Sequence, residues 1–534
     1  MRGPPDRLDQ ESRAASQLRD GRRRQTSAVT EETPAKRAVV VLLDSLNRHL
    51  LGAYGSGEFE TPNIDRFAAT RATRFTTHYA GSLPCIPARH DILCGNLDFL
   101  WRPWGSIELW EEAITAPLAR AGVVTKLVTD HPHLFEAGGE NYHCDFEAWE
   151  YERGHEGDLW KTRPDPSWLG APTFGRPAMP YDKSRGWFKG EHDFPGPRTM
   201  AAAARWLDEE AAHHDRFLLF VDEFDPHEPF DTPEPYASMY DDGWEGPHLV
   251  WPPYTAAAIR KRHLSERDAR QVRAQYGGKL TMIDAWFGRV LDALDRGGFW
   301  DDTVVIVCTD HGHYLGEKDV FGKPAVPIYE AMGHIPLMIS WPGVDGGGTN
   351  DALTTSVDLH ATLCDLFGVS TEYRTHGHSL APLVLGSASS VRDVAVSGVW
   401  GREVHAIDGR WKYVRAPSGD DNRPLSMWSN RWSTMPVHGR PELKMPPPDD
   451  RAHLDRMPGS TIPVIRQPFA PGDLLPFWGY AKFTGNHLWD LSVDPSEDED
   501  RAGEASEKEL ADLLRESLIA IDAPADQLER LGFG

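Results

Sequence analysis

The sequence predicts an α/β protein built on a large, mostly parallel sheet flanked by helices, with a smaller C-terminal α+β part. Three observations predict it. Continuous runs of apolar, β-branched residues recur, beginning with Ala38–Leu43, as strands buried on both faces do. Segments of helical periodicity separate those runs, the alternation of a parallel α/β sheet. Ionisable residues gather just past the ends of the runs, where open α/β sheets form their ligand crevice.

The first run ends at Asp44-Ser45. A second, Val123–Val128, follows a helical segment closed by Ala121-Gly122 and leads into Asp130–His133. A third, Phe217–Val221, follows an Ala-rich helix near Thr199–His213 and leads into Asp222–His227. The fourth, Val304–Cys308, follows a long helical stretch from Glu266 to Arg296, stopped by Gly297-Gly298, and precedes Asp310-His311. Pro336–Ser340 reads as a further strand and Val357–Phe367 as a helix closed by Gly368. Beyond Val391 the helical period fades, and short strand-like pieces such as Val394–Ser397 and Arg410–Val414 appear. The stretch from Ala416 to Gly472 is rich in Pro, Trp, Arg and Met and is expected to pack as ordered loops over the main domain. An acidic segment, Asp494–Asp500, and a terminal helix, Ser506–Ile521, close the chain. Three parts result: a disordered tail over 1–36, a catalytic domain over 37–390, and a C-terminal subdomain over 391–534 with a long loop insertion.

Of the 534 residues, 40% are hydrophobic and 26% charged, an ordinary globular balance. The formal net charge of −25 speaks against nucleic acid or anionic lipid as partners. An anionic substrate would need positive charge concentrated locally, in a pocket or on a bound metal. The five cysteines, Cys85, Cys94, Cys144, Cys308 and Cys364, are odd in number and lack CxxC spacing, which argues against a disulfide scaffold or a zinc ribbon. No apolar run has the length of a membrane span, and the N-terminus lacks the apolar core of a secretory signal, so the expected location is cytoplasmic.

Five local patterns carry chemistry. Cys85-Ile86-Pro87-Ala88-Arg89 is followed by Leu93, Cys94 and Gly95. Thr309-Asp310-His311-Gly312 is followed by Gly316-Glu317 and by Lys323. Asp44 ends the first strand, ahead of Leu51-Gly52-Ala53-Tyr54-Gly55 and Thr61-Pro62-Asn63-Ile64-Asp65-Arg66-Phe67-Ala68. Asp225-Pro226-His227-Glu228-Pro229 follows the third strand, and Thr129-Asp130-His131-Pro132-His133 the second. Taken singly, each also has a bland reading, such as a buried structural cysteine or a surface-loop histidine. In this order, each at a strand end or helix start, they resemble the formylglycine-dependent sulfatases of the alkaline phosphatase superfamily. Asp408-Gly409-Arg410-Trp411-Lys412-Tyr413 and Leu488-Trp489-Asp490-Leu491-Ser492-Val493-Asp494-Pro495-Ser496-Glu497 resemble that family's closing strands, so the likeness runs from about Ala38 to Glu497.

The resemblance implies an alkaline-phosphatase-like fold and a sulfuric ester hydrolase acting on a small-molecule sulfate ester. It implies that Cys85 is oxidised to formylglycine by a formylglycine-generating enzyme. The hydrated aldehyde then offers one hydroxyl to attack sulfur and a second to expel sulfate. Asp44, Asp310, His311 and position 85 become metal ligands. The implied ion is calcium by family habit, or manganese given an imidazole ligand and Ser45 where a second acid or amide is usual. Lys323, twelve residues after His311, becomes a cation for the substrate oxyanion, and Arg89, one helical turn after Cys85, a support for the diolate. His227 becomes a proton donor to the leaving group, suited to it by the ordinary pKa of imidazole, with His133 as a helper. At one point the chain departs from the pattern. Many sulfatases carry a lysine after the second strand where this chain has Asp130, and phosphonate monoester hydrolases also lack it. Two alternatives therefore stay open, a phosphonate or phosphate ester hydrolase of the same superfamily and a catalytically inactive binding protein. A third, an unmodified thiol nucleophile, would need a base near Cys85 and a low thiol pKa.

Overall fold

The strand β1 (Arg37–Leu43) sends alternate side chains into two different cores. Val39, Val41 and Leu43 join one buried cluster, while Ala38, Val40 and Leu42 join another. With period two and both faces apolar, it belongs in the middle of a sheet covered on both sides. In the structure, a computed structural model describing residues 35–163, 180–247, 249–435 and 446–534, β1 is such an inner strand. The other strands of its sheet are β2 (Thr73–Phe75), β3 (Val124–Thr129), β4 (Ala148–Tyr151), β5 (Phe217–Glu223), β6 (Thr303–Cys308), β7 (Leu337–Ser340) and β8 (Thr349–Asn350). Their order is β8-β2-β7-β6-β1-β5-β3-β4. β7 runs antiparallel to β6 and β2, and the remaining pairings are parallel. The sheet is thus mixed and mostly parallel, and the predicted long strands are all in it. The short β2, β4 and β8 were not predicted.

Helices cover both faces. α1 (Pro62–Thr70), α3 (Pro195–Glu209) and α4 (Glu266–Gly297) pack together on the first core cluster. α2 (Cys85–Cys94) and α5 (Val357–Phe367) pack together on the second. α4 opens with a capping box, in which Ser265 and Asp268 satisfy each other's backbone amides, and closes on Gly298 in the left-handed conformation.

The C-terminal region adds an antiparallel sheet of β9 (Ala395–Gly398), β10 (Val404–Ile407), β11 (Trp411–Arg415) and β15 (His487–Asp490), in that order. The last long helix, α6 (Ala505–Ala520), packs on β10 and β11. The segment expected to be ordered loops holds a second antiparallel sheet, β12 (Leu425–Ser429), β13 (His453–Arg456) and β14 (Pro463–Phe469), ordered β12-β14-β13. Ala35–Gly534 forms one compact unit. One core cluster joins Leu97 and Leu100 to Leu488 and Leu514, so the change of pattern near residue 391 marks a change of sheet within that unit. Of the tail expected over 1–36, residues 1–34 lie outside the described residues. Ala35 is already buried.

Candidate functional site

Strand register brings the patterns to one level. Leu42 pairs with Asp222 on one side and Cys308 on the other, and Thr129 also pairs with Asp222. The residues just beyond, Asp44, Asp130, Asp310 and His311, therefore leave the sheet side by side at its carboxyl edge. α2 brings Cys85 to the same place from outside the sheet. All ten residues of α2 are buried, as expected of a helix enclosed on every side. It ends at Gly95 in the left-handed region, φ 77°, where a Cβ would come within 2.6 Å of the His360 ring. His90 and Cys94, on the same helix, sit in a separate buried network with Glu111, where His90 Nε2 is 2.7 Å from Glu111 and Arg102 pairs with Asp98 and Glu111.

Donor atoms of Asp44, Cys85, Asp310 and His311 all lie within 4.8 Å of one another. His311 Nδ1 is 2.7 Å from the Gly312 carbonyl, so that nitrogen carries the hydrogen. Nε2 keeps its lone pair, 3.2 Å from Cys85 Sγ. Burial lowers the His311 pKa, which favours the neutral, ligating form. Burial alone would push the Asp44 carboxyl up, but Arg89, His227, His311 and Lys323 hold it well below the ordinary range. Asp44 Oδ2 lies 2.9 Å from Arg89 without hydrogen-bond geometry and has no other hydrogen-bond partner. A buried carboxylate oxygen left unsatisfied, beside a second carboxylate and a neutral imidazole, fits a divalent cation. Ser45, at φ 62°, sits beside that donor set. Its hydroxyl donates to Asp44 Oδ1 (2.8 Å) and its amide to Asp310 Oδ1 (3.0 Å), which orients both carboxylates.

The structure places Arg89 among carboxylates beside Cys85. Its guanidinium is 1% exposed and engaged by carboxylates. Nε and one terminal nitrogen bind Asp222 (2.9 and 2.7 Å), and the other terminal nitrogen binds Asp310 (2.8 Å) and the Cys85 carbonyl (3.2 Å). Arg89 thus neutralises the acidic cluster while also touching the backbone of Cys85. Asp222, its bidentate partner, was noted only as one of several polar residues past the third strand.

Lys323 Nζ lies 3.8 Å from Cys85 Sγ, 3.5 Å from Ser45 Oγ and 2.6 Å from His227 Nε2. Burial opposes its charge, but Cys85, Tyr254, Glu228 and Asp44 outweigh that and raise its pKa well above the ordinary lysine value. His227 Nδ1 faces the Glu228 carbonyl at 2.8 Å. Burial first, then Lys323, lowers the His227 pKa to about 4. Near neutrality the imidazole is therefore uncharged and accepts a hydrogen bond from Lys323 through Nε2. The ordinary imidazole pKa expected of the proton donor is thus shifted down by burial and by Lys323.

His133 also differs from expectation. Its Nδ1 is paired with Glu136, and its Nε2 lies 3.0 Å from Glu156. Burial opposes its charge, yet these carboxylates raise its pKa to about 10. The residue facing the acidic cluster is His131, 3.5 Å from Asp44 Oδ2, with neither ring nitrogen in a hydrogen bond. Asp130 accepts from the Phe224 amide at 2.8 Å, and burial, then Asp225, pushes its carboxyl well up. The charge reversal read from Asp130 is therefore weakened. Cys85 itself is 3% exposed, and burial, then Asp44, pushes its thiol pKa well above the ordinary value. Unmodified, it makes a poor thiolate nucleophile.

A family model described as Sulfatase matches residues 36–369. The choline-sulfatase of Rhizobium meliloti (strain 1021) is 27% identical over 418 residues, covering 70% of this chain and 77% of its own. Arylsulfatase K of Xenopus laevis is 24% identical, covering 74% of this chain and 77% of its own. Among solved structures, the phosphonate monoester hydrolase of Agrobacterium radiobacter superposes with a TM-score of 0.60 at 18% identity, covering 91% of this chain and 95% of that one.

Proposed function

The chain belongs to the sulfatase family, and from that premise we propose that it hydrolyses sulfate esters with a formylglycine formed from Cys85 and a divalent cation held by Asp44, Asp310 and His311. One observation carries the reading: these four donor sets converge within 4.8 Å, with Lys323 beside the nucleophile position and His227 beside Lys323. Oxidised and hydrated, position 85 supplies a geminal diol that can both attack and later release its ester. A bound calcium or manganese ion supplies Lewis acidity toward a hydroxyl and an ester oxygen.

The chain's own residues do the rest. Arg89 offsets the charge of Asp44, Asp222 and Asp310 through ion pairs of 2.9, 2.7 and 2.8 Å. Lys323 offsets charge developing on the transferred group. The Lys323–His227 pair shares hydrogen between Nζ and Nε2, and a proton from this pair goes to the departing alcohol oxygen. Maturation requires a formylglycine-generating enzyme as a transient partner. A cytoplasmic location belongs to the same proposal and is supported by the four other cysteines, Cys94, Cys144, Cys308 and Cys364, all of them free. Among the described residues no helix is long and apolar enough to cross a membrane.

The test is the mass of the peptide containing Cys85, from protein made with a formylglycine-generating enzyme. An aldehyde in place of the thiol is expected, and an intact thiol would remove the nucleophile from the proposal. A panel of sulfate, phosphate and phosphonate esters then reads the substrate. Sulfate esters are expected to react fastest. Preference for phosphonate esters is the second reading, favoured by Asp130 standing where many sulfatases carry a lysine that phosphonate monoester hydrolases also lack.

A further inference from the structure

Behind His227 stands a buried pair that the reaction as described does not use. Glu228 is fully buried, and its Oε2 lies 3.1 Å from His227 Nδ1, a close contact without hydrogen-bond geometry. Its Oε1 lies 2.9 Å from His313 Nε2. His313 is anchored in turn, with Nδ1 3.0 Å from the Tyr314 carbonyl and its own carbonyl accepting from Asn47 Nδ2 at 2.9 Å. The side chains line up as Lys323, His227, Glu228 and His313, all buried, over successive contacts of 2.6, 3.1 and 2.9 Å. Phe224 stacks on the His227 ring with centroids 4.2 Å apart, so the imidazole is held in its plane as well as at its edge.

We propose that Glu228, braced by His313, is the positioning residue for proton delivery to the leaving group, and this rests on the sulfate-ester reading above. Both oxygens near His227 Nδ1, the Glu228 carbonyl and carboxylate, are acceptors, so Nδ1 holds the hydrogen. Nε2 is thereby fixed as the atom that meets Lys323. A neighbouring carboxylate also favours positive charge on the Lys323–His227 pair as a whole. As the S–O bond breaks, its electron pair stays on the alcohol oxygen. That oxygen takes the proton shared by Nζ and Nε2, and the pair is reprotonated from solvent. Glu228 touches neither sulfur nor the alcohol. It acts through His227.

The experiment compares wild type with Glu228→Gln across sulfate esters graded in leaving-group basicity, from nitrophenyl sulfate through phenyl sulfate to an alkyl sulfate. An activated phenolate leaves without help, whereas an alkoxide needs its proton, and general acid catalysis is worth about 10²–10⁴-fold. The variant is expected to lose about 100-fold in kcat on phenyl and alkyl sulfates but less than about 5-fold on nitrophenyl sulfate, with KM little changed. His313→Gln, which keeps an N–H near Glu228, is expected to show the same grading more weakly and serves as a second variant should Glu228→Gln fold poorly. A uniform loss across the series in both variants, or no loss, would overturn the proposal. Wild type that turns over none of these esters would overturn the sulfate-ester reading instead.

Discussion

Three buried carboxylates, Asp44, Asp222 and Asp310, crowd around the one guanidinium of Arg89. Removing a buried cation leaves its partners charged and uncompensated, which costs about 3–5 kcal/mol. Arg89→Met is therefore expected to lower the melting temperature strongly at neutral pH. A divalent cation in the adjoining donor set would replace part of the missing charge, so the deficit should narrow when calcium or manganese is added. Calorimetry of both proteins with and without metal reads this. An unchanged melting temperature with only a lowered kcat would return Arg89 to the diolate-supporting role that the resemblance implies. The motif made Arg89 legible as a functional cation, since its spacing from Cys85 sets it one turn along a helix. Its partners were not legible, because Asp222 lies 133 positions away and meets it only through strand register. His131 and His133 show the same limit. Two histidines two residues apart are equivalent in a sequence, and only the turn after β3 decides which of them faces Asp44 and which faces Glu136 and Glu156.

Among elements, α2 holds the nucleophile position, and its end is as constrained as its start. Gly95 closes it at φ 77°, and a Cβ there would sit 2.6 Å from the His360 ring on α5. Gly95→Ala combines left-handed backbone strain with a clash against a packed ring, so a loss of about 2 kcal/mol or more is expected. Pairing it with His360→Ala separates the two terms. The double variant should recover the steric part and keep the backbone part, and full recovery would show that conformation contributes nothing. The long strands and helices were legible because each carries enough apolar period to set its type. The sheet of β12, β13 and β14 was not. β14 contains Pro463 and Pro468, which argue against an inner strand in a sequence. In the structure β13 pairs only with 463–466, so Pro468 lies past its end, where β14 has a single neighbour.

For the molecule as a whole, the governing quantity is the net charge of −25, against a site whose task is to receive an anion. Among the described residues, the cations beside Cys85, Arg89 and Lys323, are buried. Arg89 is engaged by its carboxylates, and Lys323 is 5% exposed. At long range an approaching sulfate ester therefore meets a repulsive field, and attraction begins only inside the crevice, from Lys323 and a bound cation. Raising ionic strength from about 10 mM to 150 mM shortens the screening length from about 30 Å to about 8 Å. That removes the long-range repulsion while leaving contacts inside the site nearly intact. With the metal concentration fixed, kcat/KM for an anionic sulfate ester is thus expected to rise several-fold with added sodium chloride, while kcat stays flat. The opposite slope would mean that the field of Lys323 and the metal reaches beyond the crevice and steers the substrate in. In that case neutralising Lys323 (Lys323→Met) should abolish the slope, whereas under the repulsive field the variant keeps the same upward slope at a lower rate.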